Sequence, residues 1–281
     1  MTKLGLNVIR SFWNLLTMQF SLCLENRQSQ KTFWNTPSEL ILNSEISGGT
    51  LKMTGQKKNT GLQFLSVCTS WQITNHMNLD NICAGLRAGA EKLALQTAAQ
   101  KNKSLKSVIE SLNKNRNSII QANALDVQKA RSSGMSESLI DRLTLDNKRL
   151  DGIIESINLV IAQTDPVGEE ICGWKTPNGM SIRQVRVPFG VLAIIYENRP
   201  NVTVDEFCLA YKSGNSVFLR SSSSSINSNR EIVKAIKEGL ASCDSGIPQA
   251  IELAPCENHD EVEQIIKAVG KIDLVLPRGN K

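Results

Sequence analysis

The stretch from Val187 to Ser225 constrains the fold of this chain more than any other part. Residues 190–196 form a short apolar run, rich in β-branched side chains, which is typical of a strand buried on both faces. Residues 217–219 predict a second such strand. Between them, a helix is predicted to begin at Thr203, with Asp205 in its first turn. The stretch therefore predicts a strand–helix–strand crossover and an α/β fold.

Polar residues follow both strands at the point where each strand ends. Glu197, Asn198 and Arg199 come after the first strand, and Arg220 comes after the second. In open parallel sheets, ligands bind at the carboxyl ends of the strands. We expect a binding site at this edge, although a bare crossover does not point to any one function.

Three segments carry a resemblance to a known family: VPFGVLAIIYENRPNVTVD (Val187–Asp205), KSGNSVFLR (Lys212–Arg220) and IDLVLPRG (Ile272–Gly279). They resemble γ-glutamyl phosphate reductase, a branch of the aldehyde dehydrogenase superfamily that serves proline synthesis. The resemblance runs from about Met77 to the last residue. Its most specific part is 199–205, because the wider superfamily carries different residues there.

The resemblance implies an aldehyde-dehydrogenase-like α/β fold, with a Rossmann-like parallel sheet, N-terminal helices and a projecting β-hairpin. It implies NADPH-dependent reduction of γ-glutamyl phosphate, a small-molecule substrate, to glutamate 5-semialdehyde with release of phosphate. It also implies a cytoplasmic enzyme. The alternative is an inactive fragment, or a nucleotide-binding remnant that lacks the nucleophile.

Arg220, Ser221 and Ser222 are the residues that the resemblance assigns to the cofactor. Arg220 matches the basic residue that meets the adenosine-side phosphate of NADPH, and an arginine fork suits that task. The family usually has a pair of glycines followed by an acidic residue where this chain has five serines, 221–225. This departure puts normal cofactor affinity in question. A flexible serine linker is the alternative, which the helix predicted directly afterwards disfavours.

Asn201 and Arg199 are the residues that the resemblance places near the substrate. Asn201 matches the superfamily asparagine whose amide stabilises the developing oxyanion. A helix cap is the alternative role, and one residue could serve both. Arg199 is a candidate contact for the carboxylate or phosphate of the substrate. An ion pair with Glu197 or Asp205 is the alternative.

The catalytic cysteine of the family is not matched in this chain. The family reaction proceeds through a thiolate that lies well downstream of the Pro-Arg-Gly motif, and this chain ends two residues after Gly279. We therefore expect the C-terminal catalytic domain to be absent and the chain to be inactive alone. Cys208 is expected to be a buried apolar residue in a helix, and Cys256 does not match the family position. No metal site is predicted, because no CxxC pair occurs and the ligand types are scattered.

Residues 1–76 differ from the rest in composition. They carry seven Lys and Arg against three Glu, so they account for +4 of the chain's net charge of +5. Because the basic character belongs to this segment and not to the rest of the chain, we infer no nucleic-acid partner. The segment faintly suggests a secretory signal, a transit peptide or upstream sequence translated from too early a start, and we favour the last. We expect it to lie outside the fold. No apolar run is long enough to span a membrane.

Residues 77–281 are predicted to divide into three parts: helices at 77–164, a hairpin at 169–187 and nucleotide-binding βαβ units at 188–281. Apolar residues at helical spacing predict helices from 77, from Ser104 to Gly134, over 137–143 and over 148–163. Asn178-Gly179 is a strong hairpin signal. In the resembled family a comparable ribbon pairs with another subunit, which implies a homo-oligomer.

Overall fold

The computed structural model describes residues 18–19, 42–47, 50–55, 78–255 and 260–278. These residues fall into two compact units. The smaller unit holds one antiparallel hairpin of β2 (Leu42–Ser47) and β3 (Thr50–Gly55), and the larger unit holds all the other described residues. Met77 and most of 1–76 lie outside the described residues, so the status of that segment stays a prediction.

The larger unit begins with the two-residue strand β1 (Met18–Gln19) and then, after the gap, with five helices. The helices are α1 (Leu79–Ala94), α2 (Ala98–Lys114), α3 (Arg116–Ser132), α4 (Glu137–Leu143) and α5 (Asn147–Ala162). Strands and helices then alternate in the order β4 (Glu170–Lys175), β5 (Ser181–Val187), β6 (Val191–Tyr196), α6 (Pro200–Lys212), β7 (Ser216–Arg220), α7 (Ile226–Ala241), β8 (Ile251–Leu253), α8 (Asp260–Ile266) and β9 (Leu274–Arg278). Short 3₁₀ helices occupy Ser223–Ser225 and Pro248–Ala250.

The central sheet has four strands in the order β8-β7-β6-β9, and all of its neighbouring pairs are parallel. Side chains alternate between its two faces along each strand. On one face, Leu192 and Ile194 of β6 pack with α2, α5, α6 and α7 in the larger apolar cluster. On the other face, Val191 and Ala193 pack with α1 and α8. Because both faces are covered, β6 and β7 are buried almost throughout, as the sequence predicts for strands of a parallel sheet.

Two predicted helix boundaries are wrong. The helix expected from Ser104 to Gly134 is two helices that meet at Asn115. The first of them starts earlier, at Ala98, because Thr97 and Gln100 form a reciprocal capping box. The helix expected from Thr203 starts at Pro200, whose fixed φ and missing N–H suit the first helical position. Asp205 and Glu206 therefore do not lie in its first turn.

The predicted hairpin is present as β4 and β5, which pair antiparallel through a turn where Gly179 has a φ of 86°. Strand β1 pairs with the other edge of β5. Both faces of β4 are exposed. Within the described residues, no helix has the length and apolar content that a membrane span requires.

Candidate functional site

The carboxyl ends of the four parallel strands lie along one edge of the sheet. The register pairs Ile195 with Arg220 and Tyr196 with Arg278, and the backbone N–H of Ala254 donates to the carbonyl of Leu219 over 2.8 Å. The connections that follow β6 and β7 therefore emerge side by side. This is the edge where the sequence predicts a binding site.

A cleft of about 460 Å³ opens beside the connection from β6 to α6. Arg199, Asn201 and Asp205 line it from one side. The other side comes from the segment around α4 and α5: Asp141, Arg142, Thr144, Leu145, Arg149, Gly152, Ile153 and Ser156. The two site residues that the sequence places near the substrate thus share one cleft.

Charges in the cleft are only partly compensated within the described residues. Arg149 donates to a carboxylate oxygen of Asp141 over 2.6 Å and to the carbonyl of Thr144 over 2.7 Å. Arg142 and Arg199 have no carboxylate within ion-pair distance in the described part of the chain. The alternative role of Arg199, an ion pair with Glu197 or Asp205, is therefore not found there. Two arginines remain available to an anionic ligand.

Asp205 faces the same cleft but is held by the protein. Its carboxylate accepts a hydrogen bond from the Ser156 hydroxyl over 3.0 Å. Burial raises the pKa of Asp205, while the Ser156 hydroxyl and the Arg278 charge act in the opposite direction. The Ser156 contact fixes the Asp205 carboxyl at the wall of the cleft.

Asn201 lies at the second position of α6, inside the helix. The residue at the helix cap is Arg199, and no side chain bonds there as a cap. The alternative role of Asn201 as a helix cap is therefore wrong. Asn201 lines the cleft together with Arg199.

The five serines form a compact turn between β7 and α7, here called the serine turn (Ser221–Ser225). Ser222 precedes a 3₁₀ helix, and its hydroxyl accepts from the N–H of Ser224 over 3.3 Å. The Ser224 hydroxyl donates to the side-chain oxygen of Asn198 over 2.6 Å, which joins the turn to the connection after β6. The alternative of a flexible linker does not fit a segment bonded in this way.

A buried carboxylate fixes the start of α7, and sequence reasoning missed it. Asp126 on α3 is 1% exposed and accepts from the backbone N–H and the hydroxyl of Ser228, over 2.7 and 2.5 Å, and from the amide of Asn227 over 2.8 Å. An anion is favourable at a helix N-terminus. No local signal points to it, because Asp126 lies about a hundred residues from its partners.

No protein-family model matches this chain. A γ-glutamyl phosphate reductase from Alkaliphilus metalliredigens is 44% identical over 204 residues, which are 73% of this chain and 49% of that protein. The crystal structure of γ-glutamyl phosphate reductase from Thermotoga maritima matches with a TM-score of 0.70 and 41% identity, over 73% of this chain and 49% of that one.

This chain is a homologue of the γ-glutamyl phosphate reductases. It spans about half the length of the curated relatives it matches. A probable aldehyde dehydrogenase from Listeria monocytogenes, 16% identical, matches with a TM-score of 0.54 over 72% of this chain and 42% of that one. That likeness concerns the fold alone, which is aldehyde-dehydrogenase-like, as the resemblance implies.

The cofactor residues assigned by resemblance to γ-glutamyl phosphate reductase lie together, apart from the cleft. Arg220 is the last residue of β7 and is half-buried, Ser221 is buried and Ser222 is half-buried. The cleft lining includes Arg199 and Asn201 but none of these three. The site thus has two parts, joined through the contact between Asn198 and Ser224.

Glu206 is a second charged residue that sequence reasoning did not single out. Its side chain is fully buried in α6 and pairs with Arg278 at the end of β9. Its Oε2 has no hydrogen-bond partner among the described residues. Burial raises the pKa of Glu206 to about 6, although the charge and hydrogen bond of Arg278 lower it. Glu206 therefore ties α6 to the strand that carries the Pro-Arg motif.

The described cysteines do not supply a nucleophile to the cleft. Cys83, Cys208 and Cys243 are buried and Cys172 is exposed on the hairpin, and none of the four lines the cleft. Burial raises the pKa of Cys208 well above its ordinary value, which fits the prediction of an unreactive packing residue. Cys256 lies outside the described residues. Within those residues, no group of three or more His, Cys, Asp and Glu side chains could hold a metal.

Proposed function

We propose that this chain forms the nucleotide-binding and substrate-orienting part of a γ-glutamyl phosphate reductase. In the proposed reaction, hydride from NADPH reduces the acyl carbon of γ-glutamyl phosphate, phosphate leaves, and glutamate 5-semialdehyde forms. The observation that carries the proposal is the cleft beside α6, which Asn201 lines together with two arginines that have no carboxylate partner among the described residues. The homology to reductases of that name supports it.

The substrate would meet the cleft through its negative charges. Arg199 and Arg142 would bind its carboxylate or phosphate, since a guanidinium fork matches the oxygens of either group. The Asn201 amide would donate to the oxygen that gains charge as the acyl carbon is attacked. Loss of one such donor typically costs about 10²–10³-fold in rate.

NADPH would supply the hydride, and this chain would hold it at the ends of β6 and β7. The residues there fit a phosphorylated nucleotide in charge and position, because Arg220 ends β7 and hydroxyl donors follow it directly. Arg220 would pair with the 2′-phosphate, while Ser221 and Ser222 would line the phosphate path. The serine side chains are bulkier than glycine, but several are occupied by bonds within the turn.

The β4–β5 hairpin would pair with a second copy of the chain. Its exposed apolar side chains support this: Ile171, Trp174, Met180, Val185 and Val187. With β1 the hairpin forms a sheet of only three strands, and β4 is exposed throughout, so a partner surface would stabilise it.

The covalent step is the part of the reaction that the described residues do not provide. An acyl phosphate is reduced efficiently only after a thiolate displaces the phosphate, and no described cysteine lines the cleft. We therefore propose that this chain binds the nucleotide but gives no turnover when assayed alone.

Titration of the purified 281-residue chain with NADPH and with NADH, followed by the fluorescence of the reduced nicotinamide, tests the proposal. We expect saturable binding with a preference for NADPH. A parallel titration of the Arg142→Met variant should give the same nucleotide affinity, because Arg142 lies in the cleft and not at the end of β7. Absence of binding to the unmodified chain would overturn the proposed function.

A further inference from the structure

A chain of buried hydrogen bonds joins the end of β6 to the serine turn. The Tyr196 hydroxyl lies 2.7 Å from Thr203 Oγ1, which lies 2.8 Å from Asn229 Oδ1. Asn229 Nδ2 lies 3.1 Å from Ser225 Oγ, which lies 3.2 Å from the carbonyl oxygen of Ser222. We call Tyr196, Thr203, Asn229 and Ser225 the buried relay.

In the buried relay, each residue donates a hydrogen bond to the next one, from Tyr196 towards Ser222. The amide oxygen of Asn229 only accepts, so the single hydroxyl proton of Thr203 goes to it and the Tyr196 hydroxyl donates to Thr203. The amide nitrogen of Asn229 donates to Ser225, whose own proton goes to the Ser222 carbonyl. Every bond in this sequence has one donor and one acceptor, so loss of the Thr203 hydroxyl removes both the donor to Asn229 Oδ1 and the acceptor for the Tyr196 hydroxyl.

Burial makes each of these bonds hard to replace. Thr203, Asn229 and Ser225 are 0% exposed and Tyr196 is 3% exposed, so bulk water does not reach the relay. An unpaired buried polar group destabilises the folded state, because it has given up its hydrogen bond to water without a replacement. The relay is not what packs α6 against α7, because apolar side chains such as Phe207 and Ile236 do that. What it adds is a fixed position for the first turn of each helix.

We propose that Thr203 and Asn229 are positioning residues that hold the serine turn against the first turn of α6. Thr203 lies two residues after Asn201, and the last member of the relay, Ser225, donates to the carbonyl of Ser222. The relay therefore couples the placement of the expected oxyanion donor to the placement of the expected nucleotide segment. The consequence for nucleotide binding rests on the proposed function, whereas the ordering of the serine turn does not.

Amide hydrogen exchange measured by NMR on the unliganded 281-residue chain tests the relay. The probes are two hydrogen-bonded amides of the turn, those of Ser224 and Ser225. Thr203→Val keeps the shape of the side chain and removes its hydroxyl, and it should speed their exchange about 10-fold, equivalent to ~1.4 kcal/mol. Thr203→Ser restores the hydroxyl and should bring exchange back to the wild-type rate.

Ser111→Ala is the matched control. The Ser111 hydroxyl donates to the carbonyl of Ala235 over 2.7 Å, in the middle of α7 and away from the serine turn. Its loss should leave the Ser224 and Ser225 amides unchanged. If Thr203→Val does not fold, Ser225→Ala removes the far end of the relay and should speed exchange at the same amides.

Nucleotide affinity gives the second measurement. Thr203→Val should weaken NADPH binding about 10-fold, and Thr203→Ser should not. Unchanged exchange at Ser224 and Ser225 in both Thr203→Val and Ser225→Ala would overturn the relay. Absence of NADPH binding to the unmodified chain would instead count against the proposed function, and the exchange data would still decide the relay.

Discussion

The buried carboxyl of Glu206 should make the free energy of unfolding of this protein depend on pH, and its pKa shift gives the size of the effect. The folded state raises the pKa of Glu206 from 4.5 to about 6, mainly because the carboxyl is buried, with Asp205 adding to the rise and Arg278 opposing it. At 1.36 kcal/mol per pKa unit, this corresponds to about 2 kcal/mol. Folding therefore favours the protonated form of this carboxyl.

The sign follows from proton linkage. Between pH 4.5 and 6 the folded state binds the Glu206 proton more tightly than the unfolded chain does, so the free energy of unfolding falls as pH rises. The stabilisation by the protonated carboxyl is fully present below pH 4.5 and is lost as pH rises through about 6. Glu206→Gln does not ionise, so it should lack this fall.

The assay is urea unfolding followed by far-UV circular dichroism at a series of pH values from 4.5 to 7.5, for wild type and Glu206→Gln. The wild type should lose about 2 kcal/mol relative to the variant across that range. His76 and His259 occur in both proteins and cancel in the difference. If the difference in free energy of unfolding between wild type and Glu206→Gln stays constant across this pH range, the reasoning is refuted.

Arg278→Gln provides an independent check on the same carboxyl. The Arg278 charge lowers the pKa of Glu206, so its removal should raise that pKa further. The pH-dependent loss of stability should then shift to higher pH. A shift to lower pH would mean that Arg278 is not the partner that stabilises the charged form.

Three further outcomes are expected. Arg220→Ala should weaken NADPH binding about 10–100-fold and NADH binding much less, since a charge-assisted bond is worth roughly 1.5–3 kcal/mol; equal losses in a fluorescence titration would refute the 2′-phosphate assignment. Gly239→Ala should destabilise by about 1–3 kcal/mol in thermal unfolding, because a Cβ there would lie 2.7 Å from the Cα of Val108, whereas Gly85→Ala meets nothing within 4 Å and should not. The 281-residue chain should give no semialdehyde-dependent reduction of NADP in the presence of phosphate, and turnover abolished by Cys208→Ser would contradict this.

Local patterns predicted the elements of this fold well because their causes are local. The apolar run before Tyr196 predicts β6, and Asn178-Gly179 predicts the hairpin, since in each case adjacent residues set the backbone. The break at Asn115 was missed because apolar spacing continues across it, from Leu112 to Ile119. The spacing of apolar residues indicates which face of a helix is buried, but it does not indicate where one helix ends and the next begins.

The polar part of the site was less predictable because its partners are distant in sequence. Arg199 and Asn201 were identified by resemblance, but the cleft needs α4 and α5, which precede them by about fifty residues. Asp126 and Arg142 carry no sequence signal of their own, since aspartate and arginine on a helix are usually solvated. Asp126 gains its surroundings only where α3 meets the start of α7, and Arg142 only where α4 lines the cleft.

The geometry of helix α6 explains how residues 201–206 contact three different parts of the protein. Each residue of an α-helix turns by about 100°, so Asn201 and Asp205, four residues apart, share a face, and both line the cleft. Thr203 lies about 200° from Asn201, on the side that bonds to Asn229 in the core. Glu206 points in a third direction, to Arg278 on β9. The helix starts at Pro200 and not at the predicted Thr203, and these angles are the same for either start. The earlier start places Asn201 inside the first turn, where the helix backbone fixes its position at the cleft.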